Sequence, residues 1–342
     1  MRMRPLGKTG IEVSEIGLGG LFTSCLGPGF EESERAVHRA LDLGVNYIDT
    51  APAYADSEET LGRILRNVKV SIVLSTKLGG RPQPFQPKHK EHLRFSVRES
   101  LKLLGRDVID ILFVHEPDRP MQYDWWTDWE AVYGPVIDVL DQLKKAGDIR
   151  FTGLGGTTVA ELAHCIRSDR FDVVLTAFNY SALFREAEWE VLPAAKERNM
   201  GVVLGSVLQQ GALGRRYDEV VRRKPPWLSE PRRQQLLAFY QLLDELAMPI
   251  VELCIRFAIT NPEISSALIG PKTVRHVEEA VRYAQKGPLP NDVLLRLREI
   301  ADMVPFRPFE EPMVLPLNRP DSYRGPGRAN TGSGAPVGRT GC

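Results

Sequence analysis

Short apolar runs alternate with longer amphipathic segments along residues 1–302. Most of these runs carry Val, Ile and Leu on both faces, as strands do when both sides of a parallel sheet are covered. Eight such runs occur, at residues 14–20, 45–50, 71–77, 108–115, 149–156, 172–179, 200–208 and 264–270. The pattern therefore predicts eight buried parallel strands.

The segments between the runs place apolar side chains at helical spacing. In the segment 33–44, Ser33 is expected to cap the helix and Gly44 to end it. The segments 91–105 and 134–147 follow the same plan and also end at glycine. Strands that alternate with helices in this way are typical of an α/β protein.

Eight strand–helix repeats predict a closed (β/α)8 TIM barrel as one domain over residues 1–302. A doubly wound sheet is the alternative, although it usually has fewer strands and a glycine-rich phosphate loop after the first. Residues 303–342 are rich in Pro, Gly and Arg. Such a composition cannot bury enough apolar surface to offset the loss of chain entropy, so we expect a C-terminal extension that is largely disordered.

The charge balance argues against nucleic acid or a membrane as a partner. Lys plus Arg and Asp plus Glu both number 44, and no basic run stands out. No apolar run approaches the roughly 20 residues of a membrane span, and the N-terminus lacks the apolar core of a signal peptide. A small molecule is therefore the expected partner, while its identity and the oligomeric state stay open.

The cysteines indicate a reducing compartment. Cys25, Cys165, Cys254 and Cys342 lie far apart and form no CxxC pair. The spacing favours neither a zinc site nor a disulfide framework, so we expect four reduced thiols in a cytoplasmic protein.

Candidate chemistry lies where three consecutive predicted strands end. The second strand ends at Asp49 and is followed by Tyr54, the third ends at Lys77 and the fourth at His115. Because active sites of these barrels lie at the C-terminal ends of the strands, the four side chains are expected to converge on one rim. Each residue alone also has a structural interpretation: Asp49 could cap a helix, Tyr54 could pack, Lys77 could be solvated and His115 could be a hydrogen-bonded structural histidine. Their occurrence together favours a functional site.

The four residue types suit the reduction of a carbonyl group. A ketone or aldehyde that accepts a hydride develops an oxyanion, which a Tyr54 hydroxyl could protonate. The ordinary pKa of a tyrosine is about 10, and the Lys77 ammonium is expected to lower it. Asp49 would keep Lys77 charged, and His115 would hydrogen-bond the carbonyl oxygen.

The sequence resembles the aldo-keto reductase superfamily over roughly residues 3–302. The resemblance rests on "RPLGKTGIEVSEIGLGG", "NYIDTAPAY", "LSTKLG", "DILFVHEPD" and "LKKAGDIRFTGLGG". It implies an N-terminal hairpin before the barrel, a catalytic tetrad, and Tyr54 as general acid in reduction and general base in oxidation. The tetrad would be Asp49, Tyr54, Lys77 and His115. A weaker likeness is to the branch that includes sugar dehydrogenases, which points to a carbonyl, alcohol or sugar lactol substrate.

The resemblance also implies an extended nicotinamide dinucleotide without a Rossmann fold, with NADP(H) favoured and NAD(H) not excluded. Consistent with this, neither "GLGGLF" nor "GLGGTT" completes G-x-G-x-x-G. Tyr180 would stack on the nicotinamide, and Lys272 matches the cation that meets the 2′-phosphate. The implied cofactor contacts are Gly19, Gly20, Gly155, Gly156, Tyr180, Ser206, Leu208, Gly211, Gly270, Lys272, His276 and Glu279.

The chain departs from the family pattern at two places in this set. Gly155 and Gly156 stand where many members have Ser-Asn to grip the carboxamide, and Ala280 stands where many have Asn. Some cofactor contacts must therefore come from the backbone or from other side chains.

Two other functions compete with the reductase interpretation. A Schiff-base aldolase would use Lys77 as its nucleophile, which requires a neutral amine. A redox-sensing binding module, like the potassium-channel β-subunits of the family, would bind cofactor and turn over slowly.

The segment 116–134 is long and aromatic for a strand-to-helix loop. Trp125 or Trp126 is expected to line the substrate pocket, because a tryptophan offers a flat apolar face with one N–H donor. The alternative is that these rings anchor the loop, and Trp129 is the expected anchor.

Overall fold

The eight apolar runs form a closed barrel of parallel strands in the computed structural model, which describes residues 1–305. The barrel strands are β3 (Ile16–Gly19), β4 (Tyr47–Asp49), β5 (Val73–Leu78), β6 (Ile109–His115), β7 (Ile149–Gly156), β8 (Val173–Ala177), β9 (Gly201–Gly205) and β10 (Ser266–Ile269). Neighbours in the chain are neighbours in the barrel, and β10 pairs with β3 to close it. The predicted TIM barrel is confirmed.

A hairpin precedes the barrel and covers its N-terminal end. It consists of β1 (Met3–Pro5) and β2 (Glu12–Ser14), paired antiparallel. Leu6, in the turn of the hairpin, is fully buried among residues of the barrel interior. Arg4 donates from Nη1 to the carbonyl of Ile264 at 2.9 Å, just before the last strand. The hairpin therefore ties the start of the chain to its closing strand.

Helices surround the barrel and bury a second apolar layer against it. They are α1 (Phe30–Asp42), α2 (Ser57–Leu65), α3 (Lys90–Leu104), α4 (Pro135–Ala146), α5 (Ala160–Arg167), α6 (Val191–Glu197), α7 (Asp218–Arg223), α8 (Glu230–Leu246), α9 (Ile250–Thr260), α10 (Val274–Gln285) and α11 (Asn291–Asp302). Among residues 1–305, no helix is long and apolar enough to cross a membrane.

Helix ends were predicted with mixed success. Gly105 and Gly147 follow α3 and α4 with φ of 61° and 84°, as expected of glycine in a left-handed cap. Ser33 is not an N-cap, because α1 begins earlier, at Phe30, and the Ser33 N–H donates to the carbonyl of Gly29. Ser33 instead lies buried inside the first turn.

The cysteines agree with the sequence expectation in part. Cys165 and Cys254 are buried and free, whereas Cys25 is disulfide-bonded, so the expectation of a reduced thiol is wrong there. No group of side chains that could hold a metal ion occurs within residues 1–305. The predicted C-terminal extension lies, from residue 306, outside the described residues.

Candidate active site

Three neighbouring strands bring the predicted polar residues to one rim. Asp49 is the last residue of β4, Lys77 is next to last in β5, and His115 ends β6. Their register is tight: Asp49 pairs with Ser75, Lys77 with Phe113 and His115 with Gly155. Parallel strands end at the same edge, so the three side chains share it.

Lys77 and Asp49 form an ion pair with almost no exposure to solvent. Lys77 Nζ donates to Asp49 Oδ2 at 2.6 Å and to the carbonyl of Thr50 at 2.7 Å. Ser75 Oγ donates to the other carboxylate oxygen at 2.7 Å. Burial pulls the pKa of Lys77 down, but the electrostatic interactions with Asp49 and Tyr54 and the hydrogen bonds to both residues together outweigh it, so the pKa is raised. Lys77 is therefore a fixed ammonium at neutral pH.

Tyr54 stands beside this ammonium, in the loop after β4. Lys77 Nζ lies 4.8 Å from the centre of its ring. Burial raises the pKa of the phenol above its ordinary value, and Lys77 opposes that rise. The expected direction of the lysine effect is thus correct, but the expected net lowering is wrong because desolvation is larger. Tyr54 is a neutral proton donor at neutral pH.

His115 faces Tyr54 across the rim, with ring centres 6.2 Å apart and nearly perpendicular. Burial, together with the charge of Lys77, lowers the pKa of His115 to about 3. The neutral ring carries one N–H, and Nδ1 is buried with no partner among the described residues. The tautomer with its proton on Nε2 avoids a buried, unpaired N–H at Nδ1. His115 can therefore donate one hydrogen bond from Nε2.

The tryptophans of the long loop hold the backbone that follows β6. Trp125 is fully buried and its Nε1 donates to the carbonyl of His115 at 2.9 Å. Trp126 is buried and donates to the carbonyl of Pro117 at 2.7 Å. Both indole N–H groups therefore hold the loop backbone, and Trp125 has no exposed surface, while a place for Trp126 in the substrate pocket stays a prediction. Trp129, the expected anchor, is 37% exposed and packs on His164.

Two residues near the rim were not singled out from the sequence. Tyr123 packs its ring 6.2 Å from that of His115. A Cβ on Gly79 would come within 3.1 Å of the Tyr123 ring. Glu116 directly follows His115. In the sequence, Glu116 could have been noticed only because it follows a histidine at a strand end. Tyr123 could have been noticed only because it lies in an aromatic loop.

The residues assigned to the adenosine end lie together at the start of α10. Gly270 follows β10, and Lys272 is exposed with Nζ 4.4 Å from the centre of the Phe22 ring. His276 Nδ1 accepts from the Lys272 N–H at 3.3 Å. Glu279 lies one turn further along α10. An exposed cation at a helix N-terminus is suited to an anionic ligand.

The residues assigned to the pyrophosphate follow β9 in an unusual backbone conformation. Ser206 has φ of 58°, and Gln209, Gln210 and Gly211 have φ of 49°, 49° and 99°. The N–H groups of Gln209 and Gly211 donate within the segment, to the carbonyls of Ser206 and Leu208, so the segment is a series of tight turns and its contact with a pyrophosphate stays a prediction. Leu208 lies within the same segment. This loop is next to the end of β10 because β9 and β10 pair.

Close approach of other atoms explains two of the assigned glycines. A Cβ on Gly20 would lie 2.8 Å from Ser57 Oγ and 2.9 Å from the carbonyl of Asp49. A Cβ on Gly156 would lie 2.8 Å from both carboxylate oxygens of Asp118. The Asp118 carboxylate thus accounts physically for glycine where many family members have Asn. Gly19 and Gly155 are less restricted.

Tyr180 follows β8, the strand that lies between β7 and β9 in the barrel. Its ring stacks on Phe257 of α9 at 5.2 Å, and its hydroxyl accepts from Asn261 Nδ2 at 3.3 Å. It is 5% exposed. This packing explains the residue without a cofactor, so its role beside the nicotinamide stays a prediction that these contacts do not support.

A proton donor, a neutral histidine and a buried ammonium at the rim of a parallel barrel define a class of protein, namely barrel enzymes that act on carbonyl or alcohol groups. The family model described as "Aldo/keto reductase family" matches residues 15–302. The chain therefore belongs to the aldo/keto reductase family. It is an oxidoreductase of the kind that uses a nicotinamide cofactor.

Named relatives include dehydrogenases of sugars. L-galactose dehydrogenase of Arabidopsis thaliana is 30% identical over 295 residues, which cover 82% of this chain and 87% of that protein. D-threo-aldose 1-dehydrogenase of a Pseudomonas species is 26% identical over 294 residues, covering 74% and 83%. A solved structure from Pseudomonas aeruginosa, described as an aldo-keto reductase, is 27% identical with a TM-score of 0.62, covering 83% and 94%.

Proposed function

We propose that the protein is an NADP(H)-dependent oxidoreductase that interconverts a hydroxylated aldehyde or sugar lactol and its oxidised or reduced partner, with Tyr54 as the general acid and base. The observation that carries this proposal is the placement of Tyr54. The centre of its ring lies 4.8 Å from Lys77 Nζ, and the ring faces a neutral His115. A carbonyl oxygen between Tyr54 and His115 would meet two neutral donors.

Each side chain has a separate task in this proposal. In reduction, Tyr54 gives its proton to the oxygen that gains negative charge, and His115 Nε2 holds the same oxygen by a hydrogen bond. The phenolate left on Tyr54 is stabilised by the Lys77 ammonium, which Asp49 keeps charged. In oxidation the same groups act in reverse, and the phenolate accepts the substrate proton.

The cofactor fits the residues on the C-terminal side of β9 and β10. The start of α10 suits an adenosine phosphate through the exposed Lys272 and His276, while Glu279 suits an N–H or O–H donor of the same ligand. The neighbouring segment 206–211 is the proposed place of the pyrophosphate. When bound, a nicotinamide supplies or accepts the hydride.

The aldolase alternative is not favoured by the geometry. A Schiff base forms from a neutral amine, whereas the Asp49 carboxylate 2.6 Å away raises the pKa of Lys77. The ammonium cannot attack a carbonyl.

The proposed function is tested by following nicotinamide absorbance with aldoses, aldehydes and ketones in the presence of either cofactor. We expect turnover of hydroxylated aldehydes or aldoses, and tighter binding of NADP(H) than of NAD(H). The relatives that dehydrogenate sugars support this substrate class. Lack of turnover with every carbonyl and both cofactors would refute the proposal.

Lys272→Ala is expected to weaken NADP(H) by about tenfold or more and NAD(H) by little, because only NADP(H) offers a 2′-phosphate for a charge-assisted contact. Titration of both cofactors by protein fluorescence measures this. Lys102→Ala, which removes an exposed lysine from α3, is the matched control. Equal losses for the two cofactors would remove Lys272 from the phosphate site.

A further inference from the structure

Glu116 occupies a strained backbone position at the rim. It directly follows His115 and has φ of 49°, in the left-handed region. Its N–H donates to the carbonyl of Gly155 at 2.7 Å, which extends the pairing of β6 with β7 by one residue. A residue other than glycine costs free energy in this conformation, and such strain persists only where the surroundings hold it.

The Glu116 carboxyl is held on one side and open on the other. Oε2 accepts from Thr157 Oγ1 at 2.8 Å, and Arg119 Nη1 lies 3.9 Å from the same oxygen. Oε1 accepts no hydrogen bond from the residues that the structure describes, and 13% of the side chain is exposed. One oxygen is therefore fixed by the protein and the other is available to a ligand.

The open carboxyl lies within electrostatic reach of the reacting groups. Its charge raises the pKa of Tyr54 on one side and of Tyr123 on the other. The charge of Lys77 acts in turn on Glu116. Since His115 separates Tyr54 from Tyr123 by ring distances of 6.2 Å each, Glu116 borders the same space, on the side away from Asp49.

We propose that Glu116 determines specificity for hydroxylated substrates, its Oε1 accepting a hydrogen bond from a hydroxyl group near the reacting carbonyl. This inference rests on the proposed function and deepens it. A substrate oxygen between Tyr54 and His115 places the next carbons of the substrate toward Tyr123 and Glu116. A substrate with a hydroxyl there pairs with Oε1, and an apolar one leaves that oxygen without a donor while Thr157 still holds Oε2.

The selection follows from the cost of leaving one oxygen of a partly buried carboxylate unpaired. Hydrogen bonds to charged groups stabilise more than those between neutral groups, and an unsatisfied charged partner costs free energy. Sites that hydrogen-bond a substrate hydroxyl therefore discriminate strongly against analogues that lack it. The Tyr123 ring alone would favour apolar substrates, so the two residues act in opposite directions.

The protonation state of Glu116 makes this selection depend on pH. Burial and the charge of Asp118 raise the pKa of Glu116 to about 7, against the hydrogen bond from Thr157 and the charges of Arg119 and Lys77. The carboxylate is therefore the main form above about pH 7 and is lost as the pH falls below it. Preference for hydroxylated substrates is expected to rise with pH through this range. The groups that face Glu116 are Lys77, Asp118, Arg119, Thr157, Tyr54 and Tyr123.

The test compares glyceraldehyde with propanal, which share the aldehyde and the chain length and differ in two hydroxyls. Glu116→Gln is expected to lower kcat/KM for glyceraldehyde by about tenfold and to change that for propanal by less than about twofold. The ratio of the two values should rise through pH 7 in the wild type and stay flat in the variant. Because the ratio cancels titrations that affect the reaction of both aldehydes, it isolates Glu116.

Glu197→Gln is the control, an exposed glutamate at the end of α6, on the opposite face of the barrel. Thr157→Val, which frees Oε2 without removing the charge, should shift the pH at which the ratio changes upward. Equal losses for both aldehydes, or an unchanged ratio at every pH, would overturn the assignment of Glu116 while the proposed function stands. Failure of the wild type to reduce glyceraldehyde and propanal would overturn the assignment of Glu116, and failure with every other carbonyl and both cofactors would overturn the proposed function as well.

Discussion

Tyr54→Phe is expected to lower kcat by at least ~10²-fold, the range for loss of a positioned general acid. The centre of the Tyr54 ring lies 4.8 Å from Lys77 Nζ and 6.2 Å from the centre of the His115 ring. The phenyl ring of the variant fills the same space, so the free energy of unfolding and the affinity for cofactor should change little.

Steady-state turnover and cofactor titration on one preparation check this expectation. Tyr133→Phe is the control, since Tyr133 donates its hydroxyl to Asp138 in the exposed part of the long loop. Turnover of Tyr54→Phe near the wild-type value, in a reaction limited by chemistry, would contradict the assignment.

Lys77→Met is expected to abolish activity and to lower the free energy of unfolding by about 3–5 kcal/mol, the cost of leaving one partner of a buried ion pair unpaired. Asp49 would keep its hydrogen bond from Ser75 but lose the 2.6 Å contact with Lys77. Chemical denaturation and the absorbance assay measure the two effects.

Adding Asp49→Asn to Lys77→Met separates stability from catalysis. The amide removes the uncompensated charge and can still accept from Ser75, so most of the lost stability should return. Activity should not return, because no cation remains to stabilise a Tyr54 phenolate. A double variant that is active would show that the ammonium has no part in the reaction, and one no more stable than Lys77→Met would place the cost outside the ion pair.

The barrel could be predicted from the sequence because its signal is local and repeated. Eight apolar runs with apolar side chains on both faces indicate a buried parallel sheet, and eight strand–helix repeats favour a closed barrel over a doubly wound sheet. The helix ends at Gly105 and Gly147 could be predicted for the same reason, because a left-handed cap depends on one residue and its position. The convergence of Asp49, Lys77 and His115 followed from their places at strand ends.

Loop chemistry could not be predicted in the same way. Whether Trp125 faces a substrate or the protein depends on where its N–H finds an acceptor, and the carbonyl of His115 is visible only in the fold. The pKa of Tyr54 depends on how far burial outweighs a nearby cation, which no residue pattern reports. From the sequence, glycine at 156 indicates only that a side-chain contact with the cofactor is missing. The structure shows that the Asp118 carboxylate leaves no room for a side chain at this position.

The hairpin that covers the barrel base has a consequence for how the chain is made. Ser14 receives a hydrogen bond from Ser266, 252 residues later, and Arg4 reaches Ile264 across 260. During translation, Asp49, Tyr54, Lys77 and His115 therefore leave the ribosome long before the last barrel strand is available to pair with the first. Until then Lys77 and Asp49 stay hydrated and the strand edges can pair with other chains. The barrel can close only after the last strand is translated, so a ribosome that stalls before it would leave a product that carries Asp49, Tyr54, Lys77 and His115 without the barrel that brings them together.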